Sequence, residues 1–492
     1  MKVALIGLDG VGLDALRIFS TYMPFLRSLL RSNPLFEVDT IPPYTPPIWT
    51  SIATGVNPGK HGIAGFTRVE YNGYKFIEHI ASSFDVKYPR IWEYLSLLNK
   101  RSIIINFPLT YPFNAMYLNK NVILIPGWDS PKVTAYPSKI TDVLPELLVM
   151  GEHEWGRFLG KNKKYVEEYL NRLMIALHKR LFALKKLLSK FNHELLAIIF
   201  SETDWLQHLV VRSSDDIERY NVIANILDMI DKFLAYTVDK YDYVFIASDH
   251  DHHTHAACYN IVYPLIRENI LDIYIDTKYY SNKEISNPII HVLNKIINAK
   301  IYRRVALSSV ILRKIMISSL AKLVKGRLKY KNLFIAEENT GIYVIPSIRD
   351  KLDEIKSLYY SEFGLRLLNS EDIFWGPYLK YLPDLIVDYR SLDRSYGLIN
   401  EPVLKKIFMI EGRNHYPNGL LVITGNACCA KRVKAKLVKP WDIGATIFAL
   451  ITNLLPDDMD GKCLPMLECH AKKFPLSKKL MLIKKVKKMK RW

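Results

Sequence analysis

Four stretches of this chain are apolar almost without interruption: "KVALIGL" at 2–8, "RSIIINF" at 101–107, "ELLAIIF" at 194–200 and "YDYVFIAS" at 241–248. A strand with one solvated face alternates polar and apolar residues, whereas one buried on both faces reads as a continuous apolar run. Between these runs the spacing turns helical, in "VGLDALRIFSTYMPFLRSLL", in a long basic amphipathic stretch over 163–192, and again over 215–239. Strands covered on both faces and alternating with helices predict an α/β fold, with a mainly parallel central sheet flanked by helices. "LPDLIVDY" and "GLLVITG" supply further strands nearer the C-terminus.

In such sheets ligands gather beyond the carboxyl ends of the strands. Asp9 follows the first run, "SETDWLQH" with Asp204 and His208 follows the third, and "DHDHH" with Asp249 and His250 follows the fourth. Three parallel strands therefore deliver acids to one edge, and two deliver histidines as well. Asp204 and His208 are four residues apart and share a face if helical. The alternative is that Asp9 and Asp204 only cap helices, a common use of Asp after a strand. Three coincident acids with attached histidines favour a metal site.

The segment "PPYTPPIWTSIATGVNPGKHGI", 42–63, crowds four prolines into six positions around Thr45, with Thr50 just beyond them. Proline fixes φ and restricts the unfolded chain, which suits a residue held at one point in space. "WTSIATG" reads as the first turn of a helix, with the Thr50 hydroxyl at the positive end of the helix dipole, where an anion is favoured. A plain N-cap is the competing role for Thr50.

The 492 residues are 49% hydrophobic, enough for a large core. Five cysteines, with Cys428 and Cys429 adjacent, form no even framework and no zinc spacing, which points to a reduced, cytoplasmic setting. Neither a signal-peptide pattern nor a run of 18 apolar residues is present. The formal charge of +19 is uneven, because residues 472–492 carry ten Lys or Arg and no acid. That tail is either a solvated extension or a basic amphipathic segment that adsorbs to an anionic membrane surface, placing the protein peripherally there. No specific nucleic-acid motif is present. Residues 263–335, rich in Ile, Lys, Tyr and Ser, break the alternation and read as an insertion. The expected division is a discontinuous core of 1–262 and 336–470, an inserted subdomain of 263–335 and a basic tail of 471–492.

"LIGLDGVGLDAL", the proline-framed block, "DWLQH", "SDH" and "NHYPNG" occur in an order that resembles the alkaline phosphatase superfamily. Within it the chain is similar to the type I phosphodiesterase / nucleotide pyrophosphatase family, its archaeal branch above all. The resemblance covers both ends and most of the core, but not the insertion or the tail. It implies an alkaline-phosphatase-like core and hydrolysis of phosphodiester or pyrophosphate bonds in small, nucleotide-type phosphoesters. Asp9, Thr50, Asp249 and His250 match the ligands of one divalent metal ion, and Asp204, His208 and His415 those of a second. Such sets suit zinc, with manganese or iron as alternatives. Thr50 matches the nucleophile of a phospho-threonine mechanism, in which two metals clamp the attacking and leaving oxygens. Asn106, at a strand end, is a candidate hydrogen-bond donor to the phosphoryl group, or an ordinary strand-end cap.

The chain departs from the family at two places. Asp251 stands where glycine usually follows "SDH", and Tyr416 replaces a basic residue after His415. His252, His253 and His255 read either as extra metal contacts or as a polar loop beside the site. A phosphomonoesterase or phosphotransferase on the same site is the alternative function, and a non-catalytic basic relative that binds nucleic acid or membrane is a third reading. The oligomeric state is open.

Overall fold

The computed structural model describes residues 1–475 apart from 115–117, 133, 144–162, 211–216, 269, 272, 276–327, 402–404, 428–436 and 468. The four apolar runs and "GLLVITG" form strands of one eight-stranded sheet, whereas "LPDLIVDY" supplies a strand of a separate sheet. The order of the eight-stranded sheet is Leu437–Val438, Leu35–Val38, Gly419–Thr424, Tyr243–Ala247, Val3–Leu8, Leu195–Phe200, Ser102–Phe107, Val122–Pro126. The last five run parallel, and Gly419–Thr424 is antiparallel to both of its neighbours. The fold is mixed α/β with a mainly parallel central sheet, as the apolar runs predict.

Those runs are apolar because their side chains alternate between two cores. Ala4, Ile6 and Leu8 face one layer with Leu196, Ile198 and Phe200, while Val3 and Leu5 face the other with Leu195, Ala197 and Ile199. The first layer is closed by the helices Lys163–Lys190 and Ile217–Val238, which contribute Leu170, Leu177, Leu184, Ile226, Ile230 and Phe233. The second is closed by Thr45–Thr54 and Pro440–Thr452, through Ile48, Trp49, Ile52, Ile443, Ile447 and Phe448. Each such side chain contributes about 1.5–3 kcal/mol on burial, so both faces are fixed and the parallel strand ends meet at one edge.

A smaller four-stranded antiparallel sheet has the order Leu333–Ile335, Gly341–Val344, Leu385–Asp388, Arg366–Asn369 and its own apolar core. Leu333–Ile335 bonds to Gly341–Val344, so hydrogen bonds cross the boundary expected at 335/336. Most of the expected insertion lies outside the described residues, as does the tail beyond 475. The strand Lys472–Phe474 pairs with Leu454–Pro456.

The cysteines differ from expectation. Cys463 and Cys469 form a disulfide, and Cys258 is free and buried, while Cys428 and Cys429 fall outside the described residues. The bridge spans six residues, too local to read as a framework from spacing. With it the cysteine argument for a reduced compartment loses its basis. Among the described residues no helix is long and apolar enough to cross a membrane.

Candidate metal centre

Asp9 leaves the end of Val3–Leu8 with its carboxylate beneath Trp49, whose Nε1 donates to Asp9 Oδ1 at 3.3 Å. Asp249 and His250 follow the adjacent strand, and the backbone N–H of Gly10 donates to Asp249 Oδ1 at 3.1 Å. Gly10 has φ +70°, and a Cβ there would stand 2.9 Å from His252 Nε2 and 3.0 Å from Asp204 Oδ1. Only glycine meets both conditions, since a side chain would fill the space between the first strand and the cluster.

Asp204 and His208 lie on the helix Glu202–Val210, one turn apart as the spacing predicts, with His208 Nε2 3.5 Å from Asp204 Oδ1. His415 arrives on the strand Gly412–Tyr416, which pairs antiparallel with Asp251–His255 and sets His415 opposite His252. His415 Nε2 lies 3.3 Å from His208 Nε2 and 3.7 Å from Asp204 Oδ1. Asp9, Asp204, His208, Asp249, His250 and His415 therefore converge on one pocket at the carboxyl edge of the sheet.

His252 joins them. Its Nε2 is 2.6 Å from Asp204 Oδ1, and the ring is buried. A carboxylate only accepts, so this nitrogen carries the proton. Donor atoms of Asp204, His250, His252 and His415 lie within 4.8 Å of one another, as do those of Asp9, Asp249 and His250. Strand alternation turns His253 and His255 to the opposite face from His252. There His253 contacts the Tyr396 carbonyl at 3.3 Å, and His255 contacts the Asn414 side chain at 3.2 Å. Asp251, where the family has glycine, accepts from the backbone N–H groups of Gly12, Asp14 and Ala15, so it caps the helix Leu13–Phe19.

Thr50 is not where the sequence reading puts it. The helix begins at Thr45, with Pro46 and Pro47 in its first turn, and ends on Gly55 in the left-handed conformation. Thr50 lies in the middle of the helix, five residues and roughly 140° around from Thr45. None of its described hydrogen bonds reaches the cluster, and its carbonyl accepts from Thr54 Oγ1. The hydroxyl that meets the cluster is that of Thr45, 3.2 Å from His250 Nε2 and buried. The signal was present in the sequence: paired prolines are tolerated only in a helix's first turn, which dates the start to Thr45. Those prolines also lack N–H groups, so the helix offers its dipole here but few of the free donors that usually cradle an anion.

Asn106 is also not free to serve a ligand. Its amide donates to the Ile199 carbonyl at 3.0 Å and to Ser201 Oγ at 3.2 Å, tying the ends of two strands.

The electrostatics ask for cations. Burial, then the charges of Asp249 and Asp204, push Asp9 well above the usual carboxylate range. Burial opposes the charge on Asp204 too, but His208 and His252 hold it well below that range. His208 is raised by Asp204 against its own burial. Burial lowers His252 to about 3 and, with His250 and His252 adding repulsion, takes His415 well below the ordinary imidazole value. Asp249 Oδ2 makes no hydrogen bond and lies 3.2 Å from His250 Nε2. Buried carboxylates crowded together in this way are costly unless cations neutralise them. The residues present fit divalent ions.

The family model described as type I phosphodiesterase / nucleotide pyrophosphatase matches residues 3–332. The chain belongs to that family. It is accordingly an enzyme of the phosphodiesterase and pyrophosphatase type. A search of curated proteins finds no match. Among solved structures, murine ectonucleotide pyrophosphatase / phosphodiesterase 5, an inactive threonine-to-alanine variant in complex with AMP, is similar in fold. It has 12% identity and TM-score 0.51 over 94% of this chain and 97% of that one. Phosphonoacetate hydrolase from Sinorhizobium meliloti 1021 in complex with phosphonoformate gives 14% identity and TM-score 0.52 over 92% and 95%. The alkaline phosphatase PafA gives 13% and 0.52 over 95% and 98%. This phosphodiesterase-family chain thus shares the fold of these structures along nearly its whole length.

Proposed function

We propose that this enzyme hydrolyses phosphodiester or pyrophosphate bonds of nucleotide-type substrates at a two-metal site, with Thr45 rather than Thr50 as the nucleophile. One observation carries the reading: the Thr45 hydroxyl heads a buried helix and lies 3.2 Å from His250 Nε2, inside a ring of metal-ligand residues. Asp9, Asp249, His250 and Thr45 would hold one divalent ion, and Asp204, His208 and His415 the other. Zinc suits these donors, as would manganese or iron. Two such ions supply Lewis-acid charge at the attacking and leaving oxygens, and lower the pKa of coordinated hydroxyls.

The protein's own groups do the positioning. With an ion bound, His250 would keep its proton on Nδ1, 3.2 Å from the Asp251 carbonyl, leaving Nε2, 3.2 Å from both Thr45 Oγ1 and Asp249 Oδ2, for the metal. The rigid helix start fixes Oγ for in-line attack: the Oγ–P bond forms, the P–O bond to the leaving group breaks, and the hydroxyl proton is lost to solvent. Water then cleaves the phospho-threonine in a second in-line displacement. His252 orients Asp204 through its Nε2–H. The murine neighbour supports both parts of the reading, since its inactive variant lacks a threonine and holds AMP.

The division into a core of 1–262 and 336–470, an insertion of 263–335 and a tail of 471–492 belongs to the same proposal. So does adsorption of the tail to an anionic surface, which rests on its charge alone. The test is hydrolysis of bis-p-nitrophenyl phosphate by purified protein. Activity should disappear with a chelator and return with zinc or manganese, whereas indifference to chelation would refute the metal site.

A further inference from the structure

The strand Gly412–Tyr416 carries a second charged group toward the centre besides His415. Along a strand the side chains of residues i and i+2 lie on one face. Asn414 and Tyr416 take one face of the ribbon that this strand forms with Asp251–His255: Asn414 contacts His255 at 3.2 Å, and the Tyr416 and His253 rings stand 5.1 Å apart. Gly412 belongs to that face too, since a Cβ there would stand 2.9 Å from His255. Arg413 and His415 therefore take the other face, with Arg413 opposite Thr254 and His415 opposite His252. On that face His252 and His415 join the metal centre, and the strand packs on the helix Glu202–Val210, which carries Asp204 and His208.

Depth separates the two positions. His252 is fully buried and Thr254 is exposed, so the ribbon runs from the floor of the centre at His415 toward its mouth at Arg413. Two residues of strand span about 7 Å. Arg413 is half-buried, and its Nε is buried without a hydrogen-bond partner. The acids whose charge reaches it are engaged elsewhere. Asp14 is paired with Arg17 at 3.2 Å and with Arg394 at 3.1 Å. Asp251 accepts from the backbone N–H groups of Gly12, Asp14, Ala15 and His252, and Asp204 accepts from His252 Nε2. A guanidinium has five donors and cannot shed its charge, so holding one half-buried without an anion is unfavourable. An anionic ligand at the mouth would satisfy it.

We propose that Arg413 is a specificity-determining residue that binds a second phosphate of the substrate, so that the site favours pyrophosphate-linked nucleotides over diesters with a single phosphate. This rests on the reading of the centre as a two-metal phosphoesterase. The phosphoryl group under attack lies against Thr45 and the ions, at the floor. What is joined to it projects toward the mouth, past His415, where Arg413 stands. A guanidinium presents a planar fork that matches two phosphate oxygens. An aryl or sugar leaving group gives that fork no charged acceptor. A phosphate does, and it gains negative charge as its bond to the attacked phosphorus breaks.

The test compares wild type with R413Q, which loses the charge, and R413K, which keeps it without the fork. Two readouts are taken on metal-loaded protein. One is the kcat/KM ratio for NAD, which carries a pyrophosphate link, over bis-p-nitrophenyl phosphate. The other is calorimetric binding of α,β-methylene-ADP against AMP. A hydrogen bond to a charged group is worth on the order of tenfold or more in either quantity. R413Q should lower the NAD ratio by about that factor and weaken α,β-methylene-ADP by a similar one, with AMP within about twofold of wild type. R413K should recover part of both. An unchanged ratio or unchanged analogue binding in R413Q would overturn the proposal, as would equal losses on both members of each pair, the mark of a merely structural role. So would a wild type that hydrolyses bis-p-nitrophenyl phosphate but not NAD. A wild type that hydrolyses neither refutes the phosphoesterase reading instead, and the calorimetric arm still decides whether Arg413 holds a second phosphate.

Discussion

Lowering the pH should loosen the frame that holds Thr45, and the residue responsible is His61. It closes the short helix Pro58–His61 and is fully buried. The N–H of Ile63 donates to Nδ1 at 3.1 Å, so Nδ1 carries the lone pair, and Nε2–H points to Ser51 Oγ at 2.9 Å, within the Thr45 helix. A proton on Nδ1 would set two donors against each other in a dry site. Burial, with the charge of Arg90 adding to it, accordingly lowers His61 from 6.5 to about 3. The unfolded chain binds a proton below 6.5 and the native one refuses it. Stability is therefore complete above 6.5 and is lost as pH falls toward 3. Near pH 5 the unfolded imidazole is almost fully charged and any native value below 4 leaves the folded one neutral, so the loss is about 2 kcal/mol relative to pH 7.5. The comparison is with H61N, whose side-chain oxygen can still accept from Ile63 N–H but does not titrate. Denaturant midpoints at the two pH values should fall less in H61N than in wild type, by the equivalent of about 2 kcal/mol. Equal falls in both proteins would refute the argument.

The remaining predictions concern the centre itself. T45A should lower kcat by at least about 10³-fold with metal content retained, T45S should keep partial activity, and T50A should stay within a few-fold of wild type; loss in T50A and not T45A would reverse the assignment. H252A should weaken metal affinity by about 10–100-fold, and H252Q by less because an amide can still donate to Asp204; equilibrium dialysis with metal analysis reads this directly. Metal loading should raise the denaturation midpoint, by about 2.7 kcal/mol for each ion present at a hundred times its Kd, whereas no shift would argue against ions bridging the buried carboxylates.

The fold was legible because burial on both faces of a parallel sheet leaves a plain mark, and Val3–Leu8 and Leu195–Phe200 carry it without interruption. The convergence of Asp9, Asp204, His208, Asp249 and His250 was legible because parallel strands send their ends to one edge, whereas His415, on a strand outside that sheet, came from the family resemblance. What failed were matters of local geometry. Thr45 and Thr50 both sit in the proline block, and only the helix start separates them. His252 was left undecided because its face depends on the pairing of Asp251–His255 with Gly412–Tyr416, more than 150 residues away. The Cys463–Cys469 bridge was missed because a count of five cysteines says nothing about one local pair.

The central claim is that Thr45, held at the start of a proline-led helix, meets metal in this site. Anomalous diffraction from crystals of the zinc-loaded protein tests it most directly. Two peaks should appear, one among Asp9, Asp249, His250 and Thr45, the other among Asp204, His208 and His415, with N and O ligands at about 2.0–2.2 Å. A peak ligated by Thr50, or none within reach of Thr45 Oγ1, would contradict the account.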